Sequence, residues 1–239
     1  MQIGTVKQIW RYAVKSMAGE QMESCIAGTL GIAGDRGWAL RDETTGQITT
    51  GSRLPLLMQC EARYRESPSN GSIPHVVMRF PNGVEVASDE SNVNERLSEL
   101  LDRSVSLWAL QPARAPQVTH FDAYPIHFLT TASLEAMKRL NTAAMWDVRR
   151  FRPNFFIETD DGVEGLVEFD WTVVQLGSVE LKCEMRTERC AMATNAQAGI
   201  PKDPSILRSL VEAADQDLGV YASVVRAGEV RVGDVVEVD

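Results

Sequence analysis

Short runs of alternating apolar and polar residues, separated by glycine-containing turns, recur along most of this chain. In "PHVVMRFPNGVEVAS" two β-rich runs flank an Asn-Gly pair, which strongly favours a hairpin. "WTVVQLGSVELKCEM" predicts two strands joined at Gly177 and Ser178, and "YASVVRAGEVRVGDVVEV" predicts further strands with turns at Gly228 and Gly233. The segments "TVKQIWRYAV", "DRGWALRD" and "FRPNFFIET" are also strand-like. A chain with this pattern is expected to be mainly β.

Helical periodicity is confined to three segments, at 91–102, 131–141 and 204–215. Thr130 or Thr131 can cap the second helix. In the third, Asp203 can act as the cap and Pro204 fits the first turn. Its predicted buried stripe comprises Ile206, Leu207, Leu210, Val211 and Ala214. Many short strands with a few helices indicate a β-barrel or α+β architecture.

A Pro-interrupted stretch, "LQPARAPQVTHFDAYP" at 110–125, is the best candidate for a linker between domains. It would divide the chain near residue 115. We therefore expect an N-terminal domain at 1–112 and a C-terminal domain at 113–239.

Composition and charge argue against several classes of partner. The 239-residue chain carries a net charge of −9, and an acidic surface repels phosphate backbones, so no nucleic-acid partner is expected. No stretch has the roughly 18 to 20 apolar residues of a membrane span, and the start lacks a signal-peptide core. The four cysteines and three histidines form neither a disulfide framework nor a zinc-ligand spacing. These features predict a cytoplasmic protein.

Cys190, within "RTERCAMAT", leaves two interpretations open on its local sequence. Arg186 and Arg189 can lower the pKa of a nearby thiol and favour the thiolate, although two neighbouring glutamates partly offset them. Alternatively, Cys190 is an inert residue at a hairpin end, because free cysteine is among the most buried residue types. Local sequence favours the inert residue, and His127 is too distant in sequence to support a cysteine-protease pair.

Three cationic loci lie at predicted junctions of loops and strands, where they can converge on an anion. Lys15 and Ser16 end one strand, Arg36 precedes another, and Arg152 and Asn154 lie in a Pro-constrained turn. Arginine suits anion binding because its planar fork presents several donors. Arg152 is the hardest to explain as a surface charge, because it lies inside an apolar run where an unpaired charge is unfavourable.

Other charged residues of the sequence are expected to be solvated. Arg149 and Arg150 are predicted to be surface charges. The carboxylates Asp160, Asp161, Glu164 and Glu168 lack the spacing of a calcium loop, so we expect a solvated turn there.

Taken together, these segments resemble the MOSC family. "YAVKSMAGEQM" and "GIAGDRGWALRDETTGQITTGSRLPLL" resemble the N-terminal β-barrel domain of MOSC proteins. "DAYPIHFLTTASL", "RFRPNFFIE", "LGSVELKCEMRTERCAMAT" and "YASVVRAGEVRVGDVV" resemble the MOSC domain itself, in the expected order. The resemblance implies a β-barrel MOSC domain packed with a smaller N-terminal β-barrel-like domain, similar to amidoxime-reducing components and their bacterial relatives.

The resemblance also implies roles for individual residues around a molybdenum cofactor. Cys190 matches the cysteine that ligates molybdenum, for which a soft thiolate is well suited. The matching cofactor contacts are Lys15, Ser16, Arg36, Thr131, Ser133, Arg152, Asn154 and Arg189. A bound anion would then supply the partner that Arg152 lacks.

Two differences from the family pattern bear on substrate and partners. The stretch after Cys190 reads "NAQAGIPKDP" where many members carry "DPxTG", so the resemblance leaves substrate preference open. No ferredoxin-like extension and no pyridoxal-phosphate domain are recognised. Electrons are therefore expected from a separate donor protein of the ferredoxin or flavin-reductase type.

Three functions follow as hypotheses. The first is a molybdenum oxidoreductase that removes oxygen from N-hydroxylated small molecules, with the cofactor supplying the redox chemistry. The second is a carrier that holds the cofactor, or holds sulfur on Cys190 as a persulfide, without reductase turnover. The third is a barrel protein that has lost its cofactor, against which the joint presence of the matching residues argues.

Overall fold

The mainly β architecture is confirmed by a computed structural model, which describes residues 1–69, 72–111 and 119–239. The strands of these ranges are β1 (Gln2–Arg11), β2 (Glu20–Met22), β3 (Ser24–Gly28), β4 (Gly31–Ile32), β5 (Trp38–Asp42), β6 (Glu61–Tyr64), β7 (Val76–Arg79), β8 (Glu85–Ala87), β9 (Val105–Ala109), β10 (Ile126–Thr130), β11 (Phe155–Thr159), β12 (Val173–Leu176), β13 (Val179–Glu188), β14 (Asp217–Arg226), β15 (Gly228–Arg231) and β16 (Val235–Val238). The helices are α1 (Val93–Leu101), α2 (Thr131–Leu140) and α3 (Ser205–Ala214).

A closed barrel forms the centre of the molecule. Its strands follow the order β11-β10-β14-β13-β12-β16-β1, and a pairing between β1 and β11 closes it. Strand β1 pairs with β16 through its first residues and with β2 through its last, while β11 lies along its other edge. The pair β10–β11 is parallel and the other pairs of the barrel are antiparallel.

Alternate side chains of the barrel strands fill its interior, as the two-residue period of a strand requires. Burial of each large apolar side chain contributes about 1.5–3 kcal/mol. The buried interior includes Val6, Ile9, Phe128, Phe155, Ile157, Leu181, Val220 and Val236. This interior fixes the strand register, and therefore fixes where each strand ends.

A second core lies among two smaller sheets, β5–β9 and β6–β7–β8, together with α1. The hairpin predicted from the Asn-Gly turn is confirmed as β7–β8, with Met78 opposite Val86. Both residues are buried, as are Leu97 and Leu101 of α1. A third small sheet, β15-β3-β4, pairs Val230 with Cys25.

Helices α2 and α3 pack together in a third apolar cluster. Thr130 caps α2, since its Oγ1 accepts a hydrogen bond from Ser133 N at 3.1 Å. Asp203 Oδ1 likewise accepts from Ser205 N at 2.9 Å at the start of α3. The predicted stripe of α3 was too wide, because Val211 is 51% exposed and the buried contacts follow Ile206, Leu210 and Ala214.

The predicted linker at 110–125 falls partly outside the described residues. The boundary between 112 and 113 lies in the undescribed stretch 112–118. The division into 1–112 and 113–239 therefore stays a prediction.

The expected solvated turn at 160–168 is wrong for its last carboxylate. Glu168 is fully buried, and the hydroxyls of Thr130 and Ser133 donate to its Oε2. Its Oε1 has no hydrogen-bond partner among the described residues. Burial raises the pKa of this carboxyl, and the hydrogen bonds oppose that shift in part.

Glu168→Gln is expected to stabilise the protein increasingly as the pH rises. A carboxyl with a raised pKa holds its proton to higher pH in the folded chain than in the unfolded chain, so its stability contribution is complete below its usual pKa of 4.5 and is lost as the pH rises through the folded pKa. Glutamine is neutral at every pH and still offers an acceptor to both hydroxyls. Urea unfolding at pH 5 and pH 8 measures the effect, with the exposed Glu158→Gln as control. An equal change in unfolding free energy at both pH values would refute it.

Candidate functional site

A cavity of about 300 Å³ lies where several strand ends meet, and it brings together six of the nine predicted site residues. Those six are Lys15, Ser16, Arg36, Arg152, Arg189 and Cys190. Five cationic side chains line the cavity, against two carboxylates. In a chain of net charge −9, such a concentration of positive charge indicates a site for an anion.

Three residues that line the cavity have left-handed backbone conformations. The φ angles are +70° at Ser16, +49° at Arg36 and +54° at Arg152. Non-glycine residues in this region are strained by about 1–3 kcal/mol each, and such residues cluster at functional sites. In each case a sharp turn before or after a barrel or sheet strand directs the side chain into the cavity.

Arg152 is the most unusual charge of the site. Its side chain is buried, and its Nη2 atom has no hydrogen-bond partner within the described ranges. The guanidinium stacks on the Tyr12 ring, 4.1 Å from its centroid, and burial lowers the arginine pKa to about 10. Arg152 also borders a neighbouring cavity of about 490 Å³. An orphaned buried donor of this kind calls for an anionic ligand.

Arg36 and Lys15 have carboxylate partners, whereas Arg152 has none among the described residues. Arg36 bonds to Asp35 and lies 5.0 Å from the centroid of the Tyr12 ring. Lys15 Nζ donates to Asp122 Oδ1 and to the carbonyl of His120, both at 2.6 Å. Burial lowers the pKa of Lys15, and Asp122 opposes this shift. Asp122 thus occupies one of the positions that an anion on Lys15 would take.

Asp122→Asn is expected to tighten anion binding in the cavity by up to about five-fold, because it removes a competing charge that is largely solvent-screened. The measurement is the Kd of pyrophosphate for cofactor-free protein by titration calorimetry. Asp89→Asn is the matched control, since it breaks an equally short pair with Arg65 elsewhere. Equal or weaker binding by Asp122→Asn would show that this carboxylate does not compete.

Cys190 is exposed, which contradicts the interpretation of a buried, inert thiol. Its Sγ lies 3.8 Å from Ser52 Oγ, in a loop that Ser16 also holds by accepting a hydrogen bond from Gly51 N at 2.9 Å. The other cysteines are buried or half-buried, and burial raises the pKa of each to about 12. Cys190 is therefore the thiol of this chain that is available for chemistry.

Arg189, next to Cys190, turns inward and is fully engaged with the protein. Its Nε donates to Leu218 O at 2.8 Å, its Nη1 to Phe151 O at 3.0 Å, and its Nη2 to His127 Nε2 at 2.6 Å. Burial lowers its pKa to about 10. Arg189 therefore anchors the end of β13, and its donors point away from a ligand.

Arg150 is fully buried, so the prediction of a solvated surface charge was wrong. Its guanidinium donates to the carbonyls of Met145, Ala193 and Pro201 at 2.8, 3.2 and 2.8 Å. The last two belong to the segment that follows Cys190. Arg149 is the more exposed of the pair and forms an ion pair with Asp147.

The remaining three predicted site residues do not line the cavity. The hydroxyl of Thr131 pairs with Thr159, and that of Ser133 donates to Glu168. The side chain of Asn154 binds the main chain of His127, since its Oδ1 accepts a hydrogen bond from His127 N at 3.1 Å. These side chains already have partners in the fold.

Sequence reasoning missed Tyr12, Asp122, His127 and Tyr221 around the cavity. Tyr12 could have been found from the sequence, since it comes just before the predicted site residues Lys15 and Ser16. His127 was dismissed for its distance in sequence from Cys190, but β10 and β13 both pair with β14, which brings His127 and the end of β13 to the same cavity. Sequence separation says little about proximity in a closed barrel.

The arrangement suits a ligand that is both anionic and thiophilic. The orphaned Arg152 donor and the flanking Lys15 and Arg36 fit a phosphate, while the exposed thiol fits a soft metal. No cluster of three or more metal-ligating His, Cys, Asp or Glu side chains occurs in the part of the chain that is described. A metal here would therefore have to bring most of its ligands with it, as in an organic cofactor.

Fold and site together define a β-barrel protein with a cavity that is lined by cationic side chains and by one exposed thiol. Residues 3–106 match the MOSC N-terminal beta barrel domain and residues 116–237 match the MOSC domain. The chain therefore belongs to the MOSC family, and the resemblance found in the sequence is confirmed.

Curated relatives span almost all of the chain. It is 28% identical over 284 residues to mitochondrial amidoxime-reducing component 1 of Mus musculus, covering 98% of this chain and 82% of that protein. It is 25% identical over 286 residues to mitochondrial amidoxime reducing component 2 of Bos taurus, covering 98% and 83%.

A solved structure shows the same fold. The YUAD protein from Bacillus subtilis superposes with a TM-score of 0.53 at 15% identity, covering 100% of this chain and 96% of that one. Among the described residues, none of the helices is both long and apolar enough to cross a membrane.

Proposed function

We propose that this protein is a molybdenum-cofactor-dependent oxidoreductase that reduces N-hydroxylated small molecules. Membership of the MOSC family and the amidoxime-reducing relatives support the reaction class. The observation that carries the proposal is the cavity itself, which is lined by the exposed thiol of Cys190 and by Arg152, a buried arginine whose Nη2 has no hydrogen-bond partner in the described part of the chain.

Individual residues of the cavity are proposed to hold different parts of the cofactor. Cys190 would ligate the molybdenum through its sulfur, because thiolates suit soft metal centres. Lys15, Ser16, Arg36 and Arg152 would bind the phosphate and the polar edges of the pterin. Arg189 would support the site by fixing the backbone beside Cys190, and Thr131, Ser133 and Asn154 would support the surrounding fold.

The bound cofactor would supply two electrons to remove the hydroxyl oxygen of the substrate as water, with two protons taken up from solvent. The chain's part is binding and orientation. Its buried arginines hold the anionic end of the cofactor in a fixed place, and its left-handed turns keep those side chains directed inward. A separate electron-donor protein, of the ferredoxin or flavin-reductase type, would restore the reduced state.

The exposure of Cys190 also suits a carrier, which would hold the cofactor or a persulfide without turnover. The named relatives favour the reductase, because their names state amidoxime reduction. Cytoplasmic placement stays a prediction beside relatives that are named as mitochondrial.

Turnover separates the two functions. Protein expressed with molybdate in a host that makes the cofactor would be mixed with reduced viologen dye and benzamidoxime. We expect the dye to be oxidised only when benzamidoxime is present. Two electrons should be taken from the dye for each molecule of benzamidine formed. Cofactor-loaded protein that oxidises no dye with any N-hydroxylated compound of a broad panel would favour the carrier instead.

A further inference from the structure

His127 lies in the cavity wall without a place in the proposed chemistry. It is in β10, its side chain is 2% exposed, and its ring centroid lies 5.5 Å from that of Tyr221 on β14. Asn154 clamps its main chain from both sides, accepting from His127 N at 3.1 Å and donating its own N–H to His127 O at 2.6 Å. The main chain that carries the imidazole is therefore fixed, and the ring is enclosed by its neighbours.

The contact with Arg189 determines the state of the ring. A guanidinium has donors and no acceptor, so the 2.6 Å contact from Arg189 Nη2 requires an unprotonated His127 Nε2. The ring is then neutral and carries its proton on Nδ1. Burial first, and then the charges of Arg189 and Arg36, place the pKa of His127 well below its usual value, although backbone groups of Arg152 and Leu218 oppose that shift.

Strand β14, which pairs with both β10 and β13, leaves room for the contact between His127 and Arg189. Gly219 of β14 has a φ of +79°, and a Cβ atom there would lie 2.5 Å from His127 Nε2 and 3.3 Å from Arg189 Nη2. A side chain at this position would clash with His127 and also with the Phe128 carbonyl oxygen, which would lie 2.6 Å from its Cβ. The backbone of β14 thus approaches the pair more closely than other residues would allow.

From these contacts we propose that His127 is a positioning residue. Its neutral imidazole accepts a hydrogen bond from the Arg189 guanidinium and so fixes the backbone that presents Cys190. The benefit for catalysis rests on the function proposed above, but the positioning itself does not. Arg189 N and O both bond to Gln216, so the guanidinium and the peptide of Arg189 form one anchored unit beside the thiol.

Two substitutions separate the roles of the two ring nitrogens. Glutamine can place an acceptor where His127 Nε2 lies, whereas asparagine is too short to reach Arg189. In cofactor-free protein, His127→Asn is expected to raise amide exchange in 186–192 about ten-fold, because a charge-assisted hydrogen bond is lost. His127→Gln is expected to stay within about two-fold of wild type, as is the exposed control His75→Gln.

A spectroscopic measurement on the wild type needs no variant. In ¹⁵N-histidine-labelled protein, His127 is expected to show an unprotonated Nε2 and a protonated Nδ1 at pH 7. A protonated Nε2, or equal amide exchange in the asparagine and glutamine variants, would overturn the positioning role. Either result would leave the proposed reductase intact, whereas wild-type protein without molybdenum would refute the reductase and leave His127 in place.

Discussion

Cys190→Ala is expected to abolish reduction of N-hydroxylated substrates, lowering turnover by about 100-fold or more. Loss of supporting groups around a metal already costs about 10–100-fold, and loss of the ligand itself removes more. The fold is expected to survive, because Cys190 is exposed and its Sγ makes only a long polar contact of 3.8 Å, with Ser52 Oγ, among the described residues. Steady-state turnover with an artificial electron donor, alongside a thermal unfolding curve, measures both effects.

Cys183→Ala is the matched control for the cysteine variant. Cys183 lies on the same strand, β13, and packs half-buried against the barrel interior. It is expected to retain wild-type turnover with a small loss of stability. If Cys190→Ala keeps more than a tenth of wild-type turnover, its sulfur is not the molybdenum ligand.

Arg152→Met is expected to weaken cofactor retention by about 100-fold, because each hydrogen bond from a charged donor contributes about 1.5–3 kcal/mol and the planar fork offers two. In cofactor-free protein the same substitution is expected to leave the free energy of unfolding unchanged or to raise it by up to about 2 kcal/mol. The reason is that Arg152 has a buried donor with no partner in residues 1–69, 72–111 and 119–239, and a pKa that burial lowers to about 10. A buried charge of this kind lowers the stability of the empty protein and strengthens the binding of an anionic ligand.

Two measurements check the expected loss of cofactor binding and the expected gain of stability in Arg152→Met. Molybdenum retained after gel filtration reports binding, and urea unfolding of cofactor-free protein reports stability. Arg65→Met, which removes an exposed arginine paired with Asp89, controls for the loss of charge. Unchanged retention in Arg152→Met would remove this residue from the cofactor site. A fall in unfolding free energy would mean that its stacking on Tyr12 outweighs the orphaned donor.

Strands and turns could be predicted from the sequence where local rules decide them. The hairpin at Asn82-Gly83 and the strand pair joined at Gly177 follow from turn chemistry, and both are present. Barrel closure could not be derived in this way, since it depends on β1 meeting β11 about 150 residues later. The family resemblance supplied that part.

A residue that lines the cavity was predictable where an isolated charge conflicted with its neighbours. Arg152 was singled out for a charge inside an apolar run, and its Nη2 is indeed orphaned. Arg150 followed the same pattern but was assigned to the surface. One of its carbonyl partners, Met145, is local, but Ala193 and Pro201 lie 43 and 51 residues away, and no local rule relates them to Arg150. Glu168 was misplaced for the same reason, because its partners, Thr130 at the end of β10 and Ser133 on α2, lie 38 and 35 residues away in sequence.

The most direct test of the central claim is the molybdenum and pterin content of purified protein expressed with molybdate. We predict stoichiometric molybdenum and pterin in the wild type, with molybdenum reduced in Cys190→Ala and both reduced in Arg152→Met. Wild-type protein that contains neither, from a host shown to make the cofactor, would contradict the account.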